Sequence, residues 1–304
     1  MTDSLQEYLV SKRTVDDRAL NRRVWERFVD ELAARARARG GPVRVVEVGA
    51  GVGAMIARLA GWGALPPRVS YRAVDVDAGS IAAASQLLPT WLESAGYVVE
   101  RRTDGLLARK ERSDGRAESR RLEVSLETAD AFEIDDEADA IVAAAFLDVV
   151  DLKRAISTLP ELVRDGGLLY APITFDGGTA VSPPDPLDET IERLYHRHMD
   201  ELRDQPGSSQ AGRRLLTRLP TDGHRVLAAG GADWIVRPDG GEYPDEEATF
   251  LRHLLETIDG ALADYPAADI DPAARKRWVR TRRRQLERNQ LVFVAHHLDV
   301  LAEL

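Results

Sequence analysis

Apolar positions follow two rhythms along this chain, and the switch between them across residues 49–53 is its most informative feature. Val43, Val45, Val46 and Val48 are a β-branched run that reads as a strand buried on both faces, and Met55, Ile56 and Leu59 then recur at helical spacing. Gly49-Ala50-Gly51-Val52-Gly53 joins the two. Glycine in such a turn permits a positive φ and lets a ligand reach the backbone, while the helix that follows presents free N–H groups. The turn therefore reads as a ligand cradle.

The rhythm continues downstream. Residues 69–77, 122–126, 138–145 and 168–175 read as further strands, with a helix over 152–163 and a turn at Arg164-Asp165-Gly166-Gly167 before the last of them. This alternation between 43 and 175 predicts a right-handed parallel α/β sheet. Arg225-Val226-Leu227 and Trp234-Ile235-Val236 supply a sixth strand, and residues 291–295 a seventh. Leu20, Val24, Phe28 and Leu32 recur every fourth residue, which predicts an N-terminal helix docked by its apolar stripe. Phe250, Leu251, Leu254, Leu255 and Ile258 form a second stripe behind the start signal Pro244-Asp245-Glu246-Glu247. Residues 1–42 thus read as a helical cap. Residues 43–304 read as the sheet domain, with helical insertions near 180–222 and 243–288 and a solvated hairpin insertion near 97–121 that turns at Ser113-Asp114-Gly115.

Acids stand at the ends of the strands. Glu47 lies two residues before the first glycine, where a carboxylate is electrostatically wrong for a pyrophosphate and right for a cationic ligand. The second strand ends in Asp75-Val76-Asp77, and a carboxylate there can accept both hydroxyls of a ribose. Both acids also suit the cap of the helix that begins near Ala78.

The pattern Glu47-x-Gly49-x-Gly51-x-Gly53 resembles the first motif of the class I S-adenosylmethionine-dependent methyltransferases, whose cofactor carries an amino group and a sulfonium and no phosphate. The resemblance implies a Rossmann-like sheet of seven strands, mostly parallel, in the order 3-2-1-4-5-7-6, with the last strand antiparallel between its neighbours. It also implies S-adenosylmethionine as the cofactor, with Glu47, Gly49, Ala50, Gly51 and Gly53 as its cradle and Asp75 and Val76 at its ribose. Glu127-Thr128-Ala129-Asp130-Ala131-Phe132 is similar to the segment that grips adenine, which gives Asp130 the exocyclic amine, Ala131 a backbone N–H and Phe132 a ring contact. Phe146 and Asp148, just past the fourth strand, then fall beside the methyl group and its acceptor. Gly49-x-Gly51-x-x-Ala54 fits the dinucleotide pattern too, and dinucleotide enzymes also place an acid at the position of Asp75. An NAD(P)-dependent oxidoreductase therefore stays open, as does a regulatory protein that binds the cofactor without chemistry. Glu47 and the expected seventh strand weigh against the oxidoreductase.

Small-molecule members of that family often close an N-terminal helix over the acceptor, which puts Lys12, Arg13, Asp17 and Arg18 against the ligand; the alternative is a surface helix with charged turns. Tyr195-His196-Arg197-His198-Met199-Asp200 lies where insertions commonly cap the active site. His196 and His198 cannot share one face of a helix, which argues against a two-histidine metal site. Either can serve as a general base, as can Asp148, and a surface histidine is the plainer reading of each. His296-His297 follows the seventh strand and reads as a packing or capping pair.

Composition narrows the partners. The chain has no cysteine, which excludes disulfides and thiolate metal sites, and no metal is expected. It has no apolar run long enough to cross a membrane and no signal peptide in its first residues, so a cytoplasmic location is expected. A net charge of −10 opposes a nucleic-acid partner. The arginine-rich stretch 275–284 reads as the wet face of a helix. The expected function is methyl transfer to an oxygen or nitrogen of a small molecule of natural-product type, by a monomer or homodimer.

Overall fold

The computed structural model describes residues 2–111, 119–202 and 207–304. Its strands are β1 (Val43–Val48), β2 (Arg68–Asp75), β3 (Val98–Arg102), β4 (Gly105–Lys110), β5 (Arg120–Thr128), β6 (Ala138–Val142), β7 (Val163–Ser182), β8 (Arg225–Gly231), β9 (Trp234–Val236) and β10 (Val292–Glu303). They form one sheet of ten strands in the order β3-β4-β5-β2-β1-β6-β7-β10-β8, with β9 paired to β10 off that path. From β5 to β7 the neighbours are parallel, and β10 runs antiparallel to both β7 and β8. The segment from β5 to β8 is the expected order 3-2-1-4-5-7-6, so the Rossmann-like α/β fold is present and is widened by extra strands at one edge.

Three departures from the sequence reading have physical causes. Residues 98–110 are two strands of the sheet, because Leu106, Leu107 and Ala108 are buried in β4 beside β5; the turn placed at Ser113-Asp114-Gly115 lies outside the described residues. Strand β7 is 20 residues long and runs straight through the turn expected at 164–167, since β6 and then β10 offer it partners along its length. The arginine-rich stretch is not uniformly wet. Arg275 and Arg282 are buried at 8% and 0% exposure and pair with Asp259 and Asp188.

Helices cover both faces of the sheet: α1 (Thr2–Ser11), α2 (Arg13–Ala19), α3 (Arg22–Arg39), α4 (Ala54–Gly61), α5 (Ala78–Ser94), α6 (Leu152–Thr158), α7 (Asp188–Arg197), α8 (Ala211–Thr221), α9 (Glu247–Ala261) and α10 (Pro272–Glu287). The valines of β1 divide between the two cores, Val43 and Val45 with the larger one and Val46 and Val48 with the smaller, as befits a central parallel strand. Asn21 caps α3 by accepting from Val24 N at 3.3 Å, and Val24, Phe28 and Leu32 face inward from it. Phe28 stacks on Tyr170 of β7 with ring centroids 4.4 Å apart. Asp299 of β10 accepts N–H groups of Asn21 and Ile173, each at 2.8 Å, which ties α3 and β7 to the antiparallel strand; burial pushes its carboxyl up to about 7. No helix among the described residues is long and apolar enough to cross a membrane.

Because Phe28 fills the seam between α3 and the sheet, Phe28→Ala is expected to cost about 3–5 kcal/mol, part transfer and part cavity. Urea unfolding followed by circular dichroism measures it, and a loss below about 1 kcal/mol would show that the seam can collapse around the gap.

Candidate active site

Parallel strands deliver their C-terminal ends to one edge of the sheet, and in α/β folds that edge is where loops leave room for a ligand. Here the turn after β1 carries Gly49, Gly51 and Gly53 at φ values of 66°, 52° and 80°. A Cβ on Gly49 would lie 2.5 Å from the ring of Phe146, and one on Gly51 would lie 3.2 Å from Leu9 of α1. Both glycines are thus required by close approach as well as by their left-handed backbone. Asp75 braces the same turn. Its carboxylate accepts Gly51 N at 2.8 Å and Asp77 N at 2.9 Å. Asp77, not Asp75, caps α5, accepting Ser80 N at 2.7 Å and Gln6 Nε2 of α1 at 2.8 Å, and these bonds hold its carboxyl below the usual range. Val76 stands between the two acids at 70% exposure, an apolar side chain at the cradle's rim.

A cavity of about 550 Å³, open mouth included, lies under the turn. Its polar walls are Glu47, Lys12, Asp16 and Arg58. Glu47 is 2% exposed and accepts the Tyr71 hydroxyl at 2.8 Å; burial pushes its carboxyl up to about 8, against the opposing pull of that hydrogen bond and of Arg58. Ile173 closes the floor at φ 56°, a left-handed β-branched residue whose N–H is held by Asp299. Such a conformation costs roughly 1–3 kcal/mol and persists where its surroundings enforce it. Asp130 accepts Phe132 N at 2.9 Å, Ala131 is buried, and the Phe132 ring lies 6.2 Å from that of Phe146 with the Arg154 guanidinium 4.4 Å from its centre.

A second cavity, about 570 Å³ with its mouth, adjoins the first. Tyr8, Asp148, Phe175, Trp234, Phe293 and His297 line it. The wall between the two is a chain of contacts: Trp234 Nε1 donates to Asp16 at 3.0 Å, Lys12 pairs with Asp16 at 3.4 Å, and the Lys12 ammonium lies 5.3 Å from the Trp234 ring centre. Asp148 faces this chamber at 9% exposure. His196 stands one layer behind, 3.5 Å from Thr179 and edge-on to Phe175 at 5.4 Å, and burial lowers its pKa. His198 opens a short π-turn and lines neither cavity.

The other expected lid residues spend their charge on protein partners. The Arg13 guanidinium covers Trp91 at 4.5 Å, Asp17 pairs with Arg58, and Arg18 grips the buried Glu247 through both oxygens. Lys12 and Asp16, four residues apart on the neighbouring helical face, reach the cradle instead. Asp16, Arg58, Trp234 and His297 were absent from the sequence-based site. In β10 Phe293, Ala295 and His297 are the buried, alternate positions, an alternation that the uniformly apolar run 291–295 does not show in sequence. Among the described residues no cluster of His, Asp or Glu is placed to hold a metal ion.

No protein-family model and no curated protein matches the sequence. Among solved structures the chain is similar to YjhP from E. coli, at 12% identity over 97% of this chain and 98% of that one, with a TM-score of 0.44. It is similar also to S-adenosylmethionine-dependent methyltransferases crystallised with S-adenosylhomocysteine from Thiobacillus denitrificans and Geobacter sulfurreducens. The first gives 11% identity over 93% and 92% of the two chains at a TM-score of 0.43. The second gives 14% over 93% and 91%, also at 0.43. At such scores the likeness assigns no chemistry, which rests on the residues of the two cavities.

The contact between Gly49 and Phe146 gives a double-mutant expectation. Gly49→Ala should destabilise by about 2–4 kcal/mol, from overpacking plus the left-handed backbone. In a Phe146→Ala background the steric part disappears and about 1–2 kcal/mol remains. Equal losses in both backgrounds, measured by denaturant unfolding, would remove Phe146 from the turn.

Proposed function

We propose that the chain is an S-adenosylmethionine-dependent methyltransferase that acts on an oxygen or nitrogen of a small molecule held in the second cavity. One observation carries the reading: the glycine turn overlies a buried acid, Glu47, in a cavity that also presents Asp16, Lys12 and Arg58. A pyrophosphate wants N–H groups and cations with no carboxylate among them, whereas the amino-acid end of S-adenosylmethionine brings an ammonium for an acid, a carboxylate for a base and a nearby sulfonium. The donor set fits the second ligand. Asp75 is the ribose-binding acid, and Val76, Phe132 and Asp130 are the groups that take the base.

When bound, the cofactor supplies an electrophilic methyl group on a sulfonium, transferred in line to the acceptor atom. The residues of this chain contribute alignment and dryness. Leu9 and Tyr8 bring α1 over the two cavities, and Lys12, Asp16 and Trp234 form the wall between them. Asp148 in the chamber wall can take an acceptor proton, and the His297 imidazole can accept its hydrogen bond. The small size of the chamber and the net charge of −10 both favour a small acceptor over nucleic acid.

Glu47 makes the reading testable through pH. Its carboxyl has a pKa raised from 4.5 to about 8 in the folded chain, so at neutral pH the fold holds a proton that the unfolded chain has released. Its contribution to stability is therefore complete below the unfolded value and is lost as pH rises through the folded one. A cation arriving at Glu47 reverses this by favouring the ionised form. Calorimetry in buffers of different ionisation heat should show proton release on S-adenosylhomocysteine binding. The affinity should climb by up to about tenfold per pH unit from about pH 6 to about 8. Glu47→Gln should flatten the profile and weaken binding by about one to two decades at the upper end. A flat wild-type profile with no proton exchange would reject Glu47 as the partner of the amino group.

A further inference from the structure

We propose that the second cavity takes a neutral, flat aromatic acceptor, and that His297 Nε2 receives the hydrogen bond of its ring hydroxyl. As an acceptor site this rests on the methyltransferase reading; as a ring-binding site it does not.

His297 is held in one orientation and one tautomer. Its Nδ1 lies 3.0 Å from Ala295 O, and a carbonyl can only accept, so Nδ1 carries the proton. The ring is clasped between Trp234, at 4.3 Å between centroids, and Phe175, at 5.4 Å. Burial pushes its pKa down to about 3, with Lys12 adding to the effect, so the imidazole stays neutral and Nε2 presents a lone pair. Nε2 has no hydrogen-bond partner among the described residues, although the side chain is only 3% exposed and lines the chamber. Nε2 thus opens onto the chamber, where a ligand hydroxyl can donate to it, a bond worth about 0.5–1.5 kcal/mol.

The rest of the chamber selects what carries that donor. Phe175, Trp234 and Phe293 offer ring faces and edges, and Leu254 and Ile258 add aliphatic floor. Among the described residues no lysine or arginine lines it, and Asp148 does, which disfavours a carboxylate or phosphate acceptor. A protonated amine would meet Asp148 in the wall but also the nearby ammonium of Lys12, which sits over Trp234 and helps to keep His297 neutral. A neutral ring of one or two fused cycles with a hydroxyl satisfies all of these walls. The path from donor to cradle is short in sequence, since Ile173 of the first cavity and Phe175 of the second are alternate residues of β7.

Calorimetry on the full chain, with and without S-adenosylhomocysteine, can compare 2-naphthol, 2-methoxynaphthalene and naphthalen-2-ylmethylammonium. The naphthol should bind about tenfold tighter than the ether, which keeps the ring and lacks the donor. His297→Phe keeps a ring between Trp234 and Phe175 and should bring the two ligands level. Equal wild-type affinities for naphthol and ether, or no naphthol binding, overturn the proposal without any variant. So does discrimination that survives His297→Phe, or that is lost in Asp148→Asn instead. Tighter binding of the ammonium overturns the neutral class. Naphthol discrimination in a chain that does not bind S-adenosylhomocysteine leaves the ring site standing and removes the methyltransferase reading, and the converse result does the reverse.

Discussion

A carboxyl group buried in the middle of a parallel sheet is the constraint on which this site depends. Glu47 stands opposite Ala73 in the register of β1 and β2, and two residues before Ala73 Tyr71 turns its hydroxyl onto it. Charged, such a group would cost several kcal/mol in that position. It stays neutral instead, and burial lifts the Tyr71 hydroxyl well above its ordinary pKa as well. The pair is thus a neutral hydrogen bond beneath a turn whose glycines leave the backbone open. An acid in this state is a latent anion, and it becomes one when a cation displaces its proton. The turn, Asp75 and Arg58 are placed around that event, with Asp75 fixing Gly51 and Arg58 offering the opposite charge.

The N-terminal helices are tied to the rest of the fold by polar as well as apolar contacts. Val15, Ala19 and Leu20 join the larger core and Tyr8 stacks on Phe250 at 5.6 Å, and polar contacts add to these. Arg18 with Glu247, Asp17 with Arg58 and Asn21 with Asp299 are polar stitches to three different elements, and Gln6 reaches the cap of α5. Polar stitches of this kind break and re-form at lower cost than a packed seam like that of Phe28 and Tyr170. Glu247 and Asp299 are both fully buried, so the Arg18 and Asn21 stitches resist opening more than that of Gln6 does.

The parts of this architecture legible in the sequence are those with a local period. The valine run of β1, the stripe of α3 and the stripe of α9 each declare their burial within about a dozen residues, and the order of the central strands was what the family resemblance implied. Strands β3 and β4 were hidden because edge strands carry charged side chains, here Glu100, Arg101 and Arg109, that read as solvent-facing loop. The length of β7 was hidden because Gly166 and Gly167 look like a turn, while their fate depends on partners in β6 and β10. Arg282 was placed on the wet face because its partner, Asp188, is 94 positions away. Of the N-terminal side chains expected against the ligand, Lys12 lines the cradle, joined there by Asp16, while Arg13 and Asp17 turn to protein partners. Nothing in a single sequence fixes the rotation of so short a helix.

The central claim is that the cradle was built for a cationic, phosphate-free cofactor. Thermal unfolding of the chain with saturating S-adenosylhomocysteine, NAD or NADP measures this directly, because a ligand that binds only the folded state raises Tm by an amount that grows with the logarithm of its concentration over Kd. At about one hundred times its Kd a ligand adds about 2.7 kcal/mol, worth some degrees in a chain of 304 residues. The account predicts such a rise with S-adenosylhomocysteine and none with either dinucleotide. A rise with NAD or NADP and none with S-adenosylhomocysteine would contradict it.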